Sequence, residues 1–290
     1  MIALLLSIVA STFIFVVFKL FDRFRVNTFN AIVVNYVAAG SCGLIAFEDD
    51  VSISAMTSSS WFYFAALLGV LFIVVFNLMA LTTQRSGLSV VSVATKMSVV
   101  IPVVFGLWYY KESLGFLKAT GILLALVAVY LVSVKGHSAV KISRTNLILP
   151  LLVFLGSGII DTSIKYLENT YVGTNEVPLF SATIFLAAAV IGIGAIVVQA
   201  MRGKFHLNVK NIVGGIVLGI PNYFSVYFLV QALRSDILES SGIFTVNNVA
   251  IVMTSTLVGI IAFRENLMLK NWIGIALAIV SIFLIAANTL

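Results

Sequence analysis

Apolar residues in this chain run in long unbroken stretches, and the polar interruptions between them are short. Ten such stretches can be placed, at approximately residues 2–21, 29–47, 60–82, 88–109, 115–134, 147–167, 179–201, 211–233, 239–263 and 270–288. Each approaches the roughly 20 residues that a helix needs to cross the hydrocarbon core of a bilayer. Backbone in lipid finds no water, so its N–H and C=O groups must be satisfied within a helix or a closed barrel. The alternating apolar and polar pattern of barrel strands is absent. The pattern predicts an all-α, polytopic membrane protein with ten transmembrane helices, spans 1 to 10.

The longest polar interruption, residues 135–146, divides the chain into two five-span halves, 1–134 and 147–290. The halves resemble each other in order. Ser11, Ile14, Lys19 and Asp22 of span 1 match Ser157, Ile160, Lys165 and Glu168 of span 6 at a spacing of 146. Phe72, Phe76, Ala80 and Leu81 of span 3 match Phe224, Phe228, Ala232 and Leu233 of span 8. Tyr110-Lys111-Glu112-Ser113-Leu114 matches Phe263-Arg264-Glu265-Asn266-Leu267 at a spacing of 153, followed by Gly121 against Gly274. An odd number of spans per half forces the second copy to enter the membrane from the opposite side. The halves are therefore expected to be inverted about a pseudo-two-fold axis in the membrane plane, as in many secondary transporters. One central site can then be sealed from either face.

Composition removes other classes. Hydrophobic residues make up 61% of the 290 and charged residues 10%, against about 45–50% and 25% in soluble domains, so a soluble globular protein is excluded. The net charge of +6 sits in the gaps between spans and reads as a topology signal, not as nucleic-acid binding. Twelve of the 17 Lys and Arg fall at loops 1–2, 3–4, 5–6, 7–8 and 9–10 and four at the opposite loops, with Lys96 inside a span. The positive-inside rule then places both termini outside, in agreement with the acidic loop Glu48-Asp49-Asp50. Cys42 is the single cysteine, and His137 and His206 lie in different loops, so no disulfide framework or Cys/His metal cluster can form. No nucleotide motif is present and no cofactor is expected. No basic segment precedes the first apolar run, which reads as a retained helix.

Candidate chemistry is confined to the few polar residues within spans. Lys96 places a full charge in span 4, where it costs several kcal/mol unless it faces a cavity or partner; it is read as a site for an anionic or carboxylate-bearing solute, against a structural ion pair or a snorkelling lysine. Asp161 of span 6 is the one carboxylate well inside a span. It is a candidate to exchange a proton, to pair with Lys96, or to pair with Lys165 four residues on. Span 9 carries Ser241, Thr245, Asn248, Ser255 and Gly259 along one face, with Thr95 among the mates in span 4; the stripe lines a cavity or else joins helices. Asn222, Tyr223, Tyr227 and Gln231 of span 8 can grip amphipathic or cationic solutes, and Asn77 of span 3 is a further candidate. Trp61, Tyr63, Trp108, Tyr109 and Trp272 read as interface anchors. Pro102 and Pro221 each free a carbonyl, at Ser98 and Val217, and are candidate hinges. Gly215 and Gly219 form a GxxxG packing surface, and Gly192 with Gly194 a second one. Ser113 and Asn266 read as N-caps of spans 5 and 10, with Glu112 and Glu265 favouring the positive helix start.

Ten spans as five plus five, Lys19 closing span 1 and the Glu112 and Glu265 junctions resemble the EamA-type branch of the drug/metabolite transporter superfamily over essentially the whole chain. The resemblance implies a central cavity lined by spans 1, 3, 4, 6, 8 and 9, with spans 5 and 10 peripheral. It also implies termini inside, which conflicts with the charge count.

The leading expectation is a secondary transporter, most simply an exporter, in the bacterial cytoplasmic membrane. It would move a small-molecule substrate resembling an amino acid or organic acid by alternating access, with protons as a candidate coupling ion and lipids as its surroundings. A non-transporting membrane scaffold is the alternative. An intramembrane enzyme is set aside because no nucleophile–base pair, HExxH ligand set or paired carboxylates appear.

Overall fold

A computed structural model describes residues 1–47, 53–86, 94–133, 148–203, 208–235, 238–263 and 268–287, and all regular structure among them is helical. The helices are α1 (Ile2–Phe24), α2 (Thr28–Ile45), α3 (Ile53–Ser58), α4 (Phe62–Ser86), α5 (Val100–Tyr109), α6 (Phe116–Ser133), α7 (Ile148–Thr170), α8 (Val177–Met201), α9 (Val209–Leu233), α10 (Ser240–Phe263) and α11 (Leu269–Ala287), with a 3-10 turn at Thr174–Glu176. The helices α2, α4, α7, α8, α9 and α10 are long and apolar enough to cross a membrane. Shorter apolar stretches, Ile2–Phe18, Ala94–Tyr109, Phe116–Leu131 and Leu269–Ile285, lie on spans 1, 4, 5 and 10. Every described element is thus helical, and six helices have the length and apolar composition of membrane spans. Helix α3 was not expected, because six residues are too few to show an apolar period.

Span 4 is interrupted. Residues 94–97 are helical, Ser98 and Val99 form a turn, and α5 begins at Val100. The cause is local: Pro102 has no N–H to give the Ser98 carbonyl. Ile101 supplies a tighter bond to Ser98 O at 2.9 Å instead, and the regular pattern resumes with Val103 N to Val99 O at 3.1 Å. Pro221, by contrast, stands inside an α9 that continues through it.

Glycines let the helices approach. A Cβ on Gly215 would stand 2.7 Å from Ala31 O of α2, and one on Gly219 2.6 Å from Asn35 O, so the expected GxxxG face seats α9 against the α2 backbone. Gly192 packs on Val33 and Ile73, whereas Gly194 meets nothing within 4 Å. A core of Tyr36, Trp61, Phe72, Phe180, Phe185 and Tyr223 fills the space among α2, α4, α8 and α9.

Direction can be read from the ends. Gly43 near the end of α2 faces Ala182 near the start of α8, and Val33 near the start of α2 faces Gly192 toward the end of α8. Asn271 at the start of α11 donates to Leu131 O at the end of α6 at 2.9 Å, while Gly121 early in α6 meets Ile285 late in α11. These pairs are antiparallel. Helix α1 packs on α9 and α10, α2 on α9, α7 on α4 and α5, and α8 on α4.

Candidate functional site

Lys96 sits in the helical turn just before the Pro102-induced break and is only 8% exposed. Its Nζ donates to Asn248 Oδ1 of α10 at 3.2 Å and lies 5.3 Å from the centroid of the Phe15 ring of α1. Asn248 is held in place because its own Nδ2 donates to Phe244 O at 3.0 Å, which leaves its oxygen free to face the lysine. Thr12 of α1 and Thr254 of α10 share a hydroxyl hydrogen bond of 2.6 Å nearby in sequence, so α1 and α10 are also joined by polar contacts. The ammonium is thus turned into the bundle, away from the acyl chains.

Asp161 of α7 is half-buried and has no hydrogen-bond or ion-pair partner among the described residues. The Asp161–Lys165 pair considered from sequence is not formed: Lys165 bonds Glu168 at 3.2 Å and Leu233 O at 3.4 Å. Asp161 and Lys96 make no direct ion pair either among the described residues. One turn back on α7, a Cβ on Gly158 would meet Ile101 of α5, so this face of α7 is the one applied to span 4.

The remaining candidates divide. Tyr223 and Tyr227 stack with centroids 5.8 Å apart, and Gln231 Nε2 donates to Tyr227 OH at 3.4 Å, so these three form one continuous side of α9. Asn222 points elsewhere: its Nδ2 donates to Asn35 Oδ1 of α2 at 3.1 Å, both side chains being buried. Thr245 is fully buried and its hydroxyl donates to Ser241 O at 2.7 Å. Asn77 donates to Ile73 O within α4 at 2.7 Å. Thr95 adjoins Lys96, and its carbonyl accepts the Ser98 hydroxyl at 2.6 Å. The geometry brings Lys96, Thr95 and Asn248 together, with Asp161 on α7 one turn from the Gly158–Ile101 contact with α5.

Two ionic groups tie helix ends together. The Glu112 carboxylate receives the Ser241 N–H at 3.2 Å and the hydroxyls of Ser240 and Ser241, so it caps α10. This corrects the expectation that Glu112 and Ser113 serve span 5. Lys111 adopts φ 52° and turns Glu112 toward α10. The first bond of α6 runs from Ala119 N to Gly115 O, while Ser113 gives its N–H and hydroxyl to Glu239 at 3.1 and 3.2 Å. Buried Lys118 joins Glu112 at 3.3 Å and also pairs with Glu239. The Glu265 and Asn266 junction lies outside the described residues. In the second group Arg234 Nε meets Glu168 at 2.7 Å and its guanidinium donates to Val172 O at 2.6 Å. Beside it, burial first and then the neighbouring tyrosines and carboxylates push the Tyr110 hydroxyl up to about 12.

Phe15, Asn35, Lys118 and Glu239 were not singled out from sequence. Phe15 had a signal, since it is the mate of Asp161 at the spacing of 146. Asn35 had none, being one amide in an apolar run.

Residues 1–134 match the family model described as the EamA-like transporter family. The chain is 24% identical over 290 residues to a protein of Haemophilus influenzae described as uncharacterized, covering 97% of this chain and 96% of that one. A solved crystal structure superposes with a TM-score of 0.77 at 11% identity, covering 99% of this chain and 96% of that chain, which shows a shared fold.

Proposed function

We propose, for a chain whose residues 1–134 belong to the EamA-like transporter family, a secondary transporter that carries a small amino-acid-like or organic-acid-like metabolite by alternating access, in the export direction. The family is one of transporters rather than enzymes, and the chain is an integral membrane protein. The observation that carries the finer reading is the state of Lys96. Desolvating an ammonium costs several kcal/mol, whereas one hydrogen bond to a charged group returns about 1.5–3 kcal/mol. Asn248 alone does not balance that cost, and a carboxylate-bearing solute would.

The architecture proposed with this function is ten spans in two inverted repeats, 1–134 and 147–290, joined by 135–146. Three kinds of contact support it. The mates α2 and α8 run antiparallel, as do α6 and α11, and the end of α5 meets the start of α10 through Glu112. Packed pairs also exchange correctly: α1 on α9 answers α7 on α4, α2 on α9 answers α8 on α4, and α1 on α10 answers α7 on α5. A two-fold exchange of halves generates such pairs. Asp161 is the candidate site for a coupled proton, the break before Pro102 the candidate hinge, and a bacterial cytoplasmic membrane the proposed location.

Thermal melting of the purified full chain against a broad metabolite library tests the reading. A bound solute stabilises by mass action, about 2.7 kcal/mol at 100 times its Kd, so at least one carboxylate-bearing solute raises the melting temperature. A flat response across the whole library indicates a non-transporting scaffold.

A further inference from the structure

We propose that the Lys118–Glu239 ion pair is a one-sided latch, which holds the two halves of the chain together at the face carrying loops 4–5 and 8–9 and biases the protein toward the state closed there. The proposal rests on the alternating-access reading and adds a conformational preference to it.

The latch has a part that the repeat duplicates and a part that it does not. Gly106, Lys111 and Glu112 recur as Gly259, Arg264 and Glu265 at the spacing of 153. In the first copy Gly106 leaves room for the Glu112 carboxylate, since a Cβ there would stand 3.1 Å from it. Lys111, in the left-handed region at φ 52°, swings Glu112 onto the start of α10, where it accepts the Ser241 N–H at 3.2 Å. Lys118 and Glu239, by contrast, have the mates Asn271 and Ser86, which carry no charge. The repeat therefore cannot rebuild their ion pair at the opposite face. Asn271 is used differently: it donates to Leu131 O at 2.9 Å and accepts the Met268 N–H at 2.9 Å.

The described contacts between the halves carry the same asymmetry. Glu239 of the second half pairs with Lys118 of the first and accepts the Ser113 N–H and hydroxyl at 3.1 and 3.2 Å. The Lys118 side chain is 3% exposed and that of Glu239 37%, so the ammonium sits inside the seam and its partner covers it from the rim. At the opposite face the described polar bonds between halves are neutral, from Asn27 N to Asn211 Oδ1 at 2.9 Å and from Asn271 to Leu131 O. Hydrogen bonds to ionised groups are roughly twice as strong as neutral ones. Beneath the latch one apolar cluster holds Ile8 of α1, Val103 of α5, and Ile243 and Phe244 of α10. Parting the halves there strips a buried ammonium of a carboxylate, which is costly, and the mates impose no such cost on the other face.

The test labels one buried thiol. Ile8→Cys in a Cys42→Ser background leaves a single cysteine, placed in that cluster on α1, which holds no latch residue. The full chain in lipid nanodiscs is reacted with a membrane-impermeant thiol reagent. Glu239→Gln and Lys118→Met are each expected to speed labelling at least about threefold, whereas Asn271→Ala, at the mate of Lys118, does not. Ser113→Ala keeps both charges and is expected to speed labelling by less; it decides the matter if the charge variants fail to fold. Labelling that stays slow in these variants, or that Asn271→Ala speeds equally through general loosening, overturns the latch. Saturable flux of a metabolite through the wild type beside such a result strikes the latch and leaves the transporter reading standing. A wild type that neither carries nor binds any metabolite removes that reading and the latch with it.

Discussion

Polar side chains in lipid are decided by what they touch, and here the same residue types have opposite fates. Thr245 and Asn77 close bonds within their own helices, Asn222 is spent on Asn35, and Lys96 and Asp161 keep unmet capacity. The sequence makes all of them candidates because a polar residue in a span is costly wherever it points. Which ones are satisfied depends on partners 152 or 187 residues away, and no local pattern encodes that. Glu239, the residue just before α10, shows the same limit. Burial pushes its carboxyl up, but the Lys118 hydrogen bond and the Ser113 donors outweigh this and hold it below the ordinary value of 4.5. A depressed carboxyl contributes stability that is fully present above its unfolded value and is lost as pH falls through the folded one. The melting temperature of the wild type is therefore expected to exceed that of Glu239→Gln at neutral pH, with the gap closing below about pH 4.5. A pH-independent gap contradicts the pairing.

At the level of helices, apolar run length predicted the boundaries of the described helices outside span 4 to within a few residues, because length in lipid leaves the backbone one choice. The break in span 4 was also legible, since Pro102 removes one donor at a fixed offset and the turn appears at Ser98 as that offset requires. The same rule applied to Pro221 leaves α9 unbroken, so proline marks a site for bending without forcing it. Close approach was legible at Gly215 and Gly219 through their spacing, but the partner was not. Gly219→Val drives a branched side chain toward Asn35 O, where a Cβ alone would stand 2.6 Å away. Overpacking of this kind typically costs about 1–3 kcal/mol, and a clear drop in melting temperature is expected. Gly194→Ala, facing open space, serves as the control and should melt with the wild type.

Across the whole molecule, charge asymmetry takes on a new shape once the ion pairs are known. Of the four cations at loops 4–5, 6–7 and 8–9, Lys118, Lys165 and Arg234 are neutralised by Glu112, Glu168 and Glu239. The Glu112 and Lys118 contacts fasten the α5–α6 junction of the first half to the start of α10 in the second, while the Glu168 pairs tie the end of α7 to the end of α9 within the second half. The account depends on the ammonium at the crossing of span 4 with α10 being where a solute is held as the bundle changes sides. Flux of radiolabelled amino acids and organic acids into vesicles reconstituted with the full chain tests this most directly. Wild-type protein is expected to give saturable flux of at least one of them, reduced at least about tenfold by Lys96→Ala; flux that Lys96→Ala leaves unchanged would contradict the account.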